Sequence, residues 1–279
     1  MAYLELLCVL KRKLRKFSNL RLLEFDLDLD VTDVDDTLLR HSGGSKLFDQ
    51  VTMPDLMADL EAAGILPDLR ARGYSDLNPC IERPDPYQEK LRIFAHHPRC
   101  GEQPVVLMEM QNHRGELTLP GMEPQLALVW DWVHLQDPAS PFSAKRPALP
   151  GQDHPGLGLF RLMTGLMLRY VQASEVQAVV AVPEYYHNAV LYNPEFHFAD
   201  PAHEGWFRAL QRDLRHLSLD QASFAIEHGQ VWEADGKAVA WLPAEQVYPV
   251  RSPVVEFFKS DSYKNLVEER QKSLAFRKN

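Results

Sequence analysis

Cysteine is nearly missing from this chain of 279 residues: three are present, Cys8, Cys80 and Cys100, and none forms a Cys-x-x-Cys pair. So sparse and odd a set excludes a disulfide framework and a closed zinc site, and fits a reducing, cytoplasmic setting. His96 and His97 do not restore a zinc spacing, because adjacent strand residues point to opposite faces. Positive charge is not in excess either. With 30 Lys and Arg against 39 Asp and Glu the net charge is −9, and a general nucleic-acid binder, which needs a basic face, is not expected. No apolar run nears the ~18 residues of a membrane-spanning helix. Residues 1–17 place apolar residues before their basic cluster, the reverse of a secretory signal. What remains, 45% hydrophobic and 25% charged, is ordinary globular material.

Residues 1–19 predict an amphipathic helix, with Leu6, Leu7, Leu10, Leu14 and Phe17 striped between Lys11, Arg12, Lys13, Arg15 and Lys16. Such a helix packs on its own domain or makes peripheral contact with an anionic membrane. Residues 20–36 alternate Leu27, Leu29 and Val31 with Asp26, Asp28 and Asp30, a half-exposed strand too extended to wrap calcium. A helix over 49–64 takes Pro54 in its first turn and closes at Gly64, and 67–86 reads as turns. Strands are predicted at 88–95, 104–111 and 125–136, the first two joined as a hairpin through Arg99, Cys100, Gly101 and Glu102. Residues 137–155 carry Pro138, Pro141, Pro147, Pro150 and Pro155, which bar helix and strand and suit a lid or a cover for a sheet edge. A helix over 201–217, a hairpin over 223–242 turning at Asp235-Gly236, and a charged, solvated tail beyond 253 complete the pass.

The most informative stretch follows the proline-rich segment. Asp153-His154-Pro155-Gly156-Leu157-Gly158 opens a helix, a buried strand follows, and a second helix carries Asn188-Ala189-Val190-Leu191-Tyr192. Glycines without Cβ let backbone approach a ligand closely, and a helix start offers free N–H groups to an anion. Phe160 and Arg161 stand where a dinucleotide loop needs its third glycine, and no Gly-Lys-Ser/Thr follows.

The segment resembles the GNAT acyltransferase superfamily, in which a strand leads into a Gln/Arg-x-x-Gly-x-Gly/Ala loop that holds the pyrophosphate of acyl-coenzyme A. Gly156 and Gly158 match its glycines, Leu191-Tyr192 match its later Leu-Tyr, and Asp153 stands at its Gln/Arg position. The resemblance covers residues 87–198. It implies an α+β fold with a mixed, mostly antiparallel central sheet flanked by helices. Residues 1–86 would elaborate that core, 87–250 would form the acyltransferase domain, and 251–279 the tail. The implied co-substrate is acyl-coenzyme A, acetyl-coenzyme A first, or a carrier-protein thioester, with no metal, and the acceptor is a small-molecule or protein amine.

On this resemblance Gly156, Leu157, Gly158, Leu159 and Arg161 cradle the donor, and Tyr192 protonates the leaving thiolate. Asn188 holds the pantetheine arm or caps its helix. Glu109, mid-strand among apolar neighbours that would raise its pKa, is the first choice of base, and Asp131 the second. Two other readings stand beside this one. A GNAT fold kept as a non-catalytic binding module accommodates Asp153. Asp33-Val34-Asp35-Asp36-Thr37-Leu38 resembles the first motif of haloacid-dehalogenase-type phosphatases, with Asp33 as nucleophile, Asp35 as acid and base, and magnesium.

Overall fold

The computed structural model describes residues 46–278 apart from Pro86 and Pro194, all within a unit that begins at Gly44. The helix and strand expected over 1–36, with Cys8, Asp33 and Asp35, lie outside the described residues. Thr52 opens helix α1 (Met53–Ala62) by accepting from the Asp55 N–H, and Pro54 occupies the first turn, where no donor is lost. Gly64, at φ 77°, reverses the chain into α2 (Ile65–Ala71). Four strands then meander: β1 (Ser75–Asp85), β2 (Gln88–His96), β3 (Val105–Leu117) and β4 (Gln125–Leu135). A 3-10 turn, Pro98–Cys100, lies in the predicted hairpin connection.

Helix α3 (Phe160–Ala173) crosses to β5 (Ala178–Ala181), followed by α4 (Tyr186–Tyr192) and β6 (His197–Phe198). Next come α5 (Pro201–Leu214), α6 (Leu219–Glu227), β7 (Val231–Glu233), β8 (Gln246–Pro249), α7 (Val254–Lys259), α8 (Asp261–Ser273) and β9 (Phe276–Lys278). Seven strands form one sheet in the order β1-β2-β3-β4-β5-β8-β6, and β7 pairs with β9 apart from it. Every pair in the large sheet is antiparallel except β4 with β5. This is an α+β architecture with a mostly antiparallel sheet flanked by helices, and no helix among the described residues is long and apolar enough to cross a membrane.

Parity along β5 shows how the layers divide. Val179 and Ala181 join the core beneath α1, α2 and α3, while Ala178 and Val180 join Val254, Phe258, Tyr263 and Val267 of α7 and α8. All four β5 residues are buried, as a strand covered on both faces requires.

Four expectations are corrected. Residues 75–85 form a strand rather than turns; Pro79 and Pro84 are tolerated because β1 is the sheet edge. A domain boundary at 86/87 would cut the β1–β2 pair, so 46–85 belong to the core. Residues 223–227 are the end of α6 and not a strand, although Asp235-Gly236 does turn the chain, with the Glu233 N–H donating to Lys237 O at 2.8 Å. Nor is the segment beyond 253 a solvated tail: the Tyr263 hydroxyl donates to Phe198 O at 2.6 Å in the core.

Removing residues 253–279 strips Val254, Phe258, Tyr263, Val267 and Phe276 from the interior. At about 1.5–3 kcal/mol per large buried side chain, the loss matches the whole stability of an ordinary domain. The truncated chain should lack cooperative thermal unfolding by circular dichroism.

Candidate functional site

β4 stays paired with β3 along its whole length, from Leu117↔Gln125 to Met108↔Leu135. Its pairing with β5 ends at Trp130↔Ala181. From Asp131 to Leu135 the edge that faced β5 therefore has no strand partner among the described residues. Register slips between Gln111↔Trp132 and Asn112↔Trp130, so Asp131 is the extra residue of a β-bulge where the strands part. Two residues beyond β4, the Asp137 N–H donates to Pro155 O at 2.7 Å and draws the glycine loop back beside the strand.

Leu157 and Leu159 are buried in the core and pin that loop from beneath. Between them Gly158 is exposed at φ 72°, and a Cβ there would have no atom within 4 Å, so the bend is open. Met163, Leu166, Met167 and Val171 lay α3 on the sheet with its start at this bend. No side chain caps α3. Among the described hydrogen bonds, none has a donor in the backbone N–H groups from Gly156 to Leu162. These donors and the helix dipole make a positive, unsatisfied cradle. Arg161 is exposed one residue into α3 and has no partner among the described residues.

Tyr185, not Asn188, is the N-cap residue of α4. The Asn188 side chain is half-buried without a hydrogen bond among the described residues, and its spacing of four sets it on the same helix face as Tyr192. The Tyr192 ring packs on Phe160 of α3 at 5.2 Å, on Phe196 at 5.1 Å and on Trp130 of β4 at 6.1 Å. It thus sits where the start of α3 meets the last paired residue of β4. Burial pushes its phenol well above the usual tyrosine range.

The candidate bases differ from expectation. Glu109 has no apolar surround: its Oε2 accepts from Arg92 Nε at 2.7 Å, and Lys90 Nζ stands 3.7 Å from Oε1. Asp131 turns to the partly exposed His113, 2.8 Å from Nδ1. Neither meets Tyr192. The residue that sequence reasoning passed over is His134, whose register partner across the ladder is Glu109. Burial pushes its imidazole below the ordinary range, against the pull of Glu109 and Asp153, with His154 adding to the depression. Asp153 therefore acts at the end of β4, and His134 is a largely neutral ring able to accept a proton near pH 7.

No family model matches the chain, and no curated protein matches it.

His187 in α4 is 3% exposed, its Nδ1 has no partner, and burial pushes its pKa down to about 4. Above the unfolded value of about 6.5 the ring is neutral in both states. As pH falls below that, the unfolded chain gains a proton that the folded chain refuses. Stability should drop by up to ~1.4 kcal/mol per pH unit, levelling off below about 4. Urea titrations of wild type and His187→Gln between pH 7 and 4 should show a shallower decline in the variant.

Proposed function

We propose that this protein transfers an acyl group from coenzyme A, or from a carrier-protein thioester, to an amine, as a GNAT-type acyltransferase. The observation that carries the reading is the run of N–H groups over Gly156 to Leu162 with no partner among the described residues, beside the point where β4 and β5 part. A pyrophosphate fits such a cradle because its oxygens are acceptors only, and the open space at Gly158 admits it. The bare edge of β4 from Asp131 to Leu135 suits the amides of a pantetheine arm, which would lie along it as an added strand. The order of strand, glycine loop, helix, strand and helix agrees with what the sequence resemblance implies.

Acyl-coenzyme A supplies an activated thioester carbonyl. Asn188 and the start of α3 bind and orient, while an aromatic wall of buried Trp130 and Phe196 and half-buried Phe160 keeps bulk water from the reacting carbonyl. His134 takes the amine proton as the new N–C bond forms, and the charges of Glu109 and Asp153 favour the resulting imidazolium. The Tyr192 hydroxyl gives its proton to the departing sulfur as the C–S bond breaks, and solvent restores it.

A second reading, binding without turnover, is favoured by two observations. Glu109 is committed to Arg92, and the Tyr192 phenol holds its proton tightly.

Coenzyme A at about 100 times its dissociation constant should add ~2.7 kcal/mol of stability, a rise of roughly 5–10 °C in melting temperature. Gly158→Asp, which puts a carboxylate in the cradle, should abolish that rise. Gly158→Asn, of equal size and tolerant of positive φ, should keep most of it. With acetyl-coenzyme A and a panel of amines, Tyr192→Phe should slow release of free thiol about 100-fold while leaving the melting shift intact. A wild-type shift with no thiol release from any amine would select the second reading.

A further inference from the structure

We infer that the cleft between α2, the turn after β2 and the turn after β4 binds the carboxylate or phosphate of a small molecule, which under the acyl-transfer reading is the acceptor. Only the role of acceptor rests on that reading; affinity for the anion does not. The cleft measures about 320 Å3, within the range of small-ligand sites, and is lined by Arg72, Gly73, His97, Pro98, Arg99, Ala139 and Ser140. No acidic side chain lines it.

Its polar groups are donors. Arg99 is exposed without a carboxylate partner among the described residues, its guanidinium making one long bond, to Ala139 O at 3.4 Å. Arg72 is partly engaged, with one nitrogen 2.6 Å from Asp68 and the other 3.6 Å from Asp137. His97 is 9% exposed, and its Nδ1 accepts from the Arg99 N–H at 3.0 Å. That bond leaves the ring hydrogen on Nε2 in the neutral ring, and the cation keeps it there too. Nε2 has no acceptor among the described residues and stands at the wall formed by Gly73, where a Cβ would come within 3.1 Å of it. Two guanidinium groups and an imidazole N–H lining one cleft match the oxygens of an anion.

The floor is rigid. Asp137, 2% exposed, accepts from the Tyr74 hydroxyl at Oδ1 and from Arg146 at Oδ2, each at 2.7 Å, so its lone pairs are turned away from an incoming anion. The Tyr74 ring in turn packs on His97, with centroids 4.9 Å apart. Because His97 follows the end of β2 and Ala139 follows the end of β4, the cleft opens at the end of the sheet that also carries the start of α3.

The test is calorimetric titration of the intact protein at low salt with two probes, inorganic phosphate and succinate, repeated in saturating coenzyme A. At least one probe should bind, and the stronger of the two names the anion as phosphate or carboxylate. Arg99→Gln should weaken binding about tenfold or more, and Arg99→Lys should recover part of it. His97→Phe, which keeps the packing on Tyr74 and removes the donor, should weaken it as well. The inference is overturned if neither probe binds, if Arg99→Gln and His97→Phe both leave affinity unchanged, or if bound coenzyme A abolishes it. Probe binding that persists where coenzyme A fails to bind would sink the acyl-transfer reading alone.

Discussion

The four-residue parallel ladder between β4 and β5 dictates where the start of α3 and its backbone donors fall. Parallel neighbours cannot be joined by a tight turn, so the chain must cross over before it can enter β5. The proline-rich segment and α3 make that crossing, and its geometry returns the start of α3 to the carboxyl end of β4. Open sheets bind ligands where neighbouring strands send their connections apart. In this otherwise antiparallel sheet, β4 and β5 offer such a parting, and the bulge at Asp131 widens it.

Asp137 holds the crossover in shape. A buried carboxylate is costly unless its oxygens are met, and here Tyr74, Arg146 and the neighbouring Ser140 meet them. Burial alone would raise its pKa, but these hydrogen bonds outweigh it and keep the group ionised below the usual range. Its own N–H reaches Pro155 while its side chain reaches Arg146, so one residue ties both the middle and the end of the proline-rich segment. Farther along, Gly151 lies so close to Tyr185 that a Cβ would fall 2.7 Å from the ring. The segment is therefore packed against the start of α4 rather than free to sweep over the site.

Elements whose burial follows a simple period were legible in the chain. β2 to β5, α1 and the two helices around the glycine loop all announce themselves through alternation, capping or an apolar run. β1 was hidden because prolines argue against a strand until its edge position is known. In α8 only Tyr263 and Val267 are buried among charged neighbours, too thin a stripe to separate from a solvated helix. The cradle at Gly156 and Gly158 was readable because backbone freedom is written in residue type. The surroundings of the candidate bases were not. The bulge at Asp131 breaks the alternation along β4, and the pairing of Glu109 with Arg92 joins two strands whose register no local pattern gives.

Asp153 was the residue hardest to reconcile with an anion at the glycine loop, and its surroundings remove the difficulty. Its charge acts on His134, together with Glu109. The site thus has two signs of potential a short chain length apart. Free N–H groups and Arg161 gather at Gly156 to Leu162, and carboxylates gather at the end of β4. An anionic donor and a cationic amine would be drawn to opposite sides of one reacting carbonyl. Under the proposed acyl-transfer reading, the carboxylates that would attract the amine would also stabilise the imidazolium formed when it gives up its proton, so recruitment and deprotonation would share one set of charges.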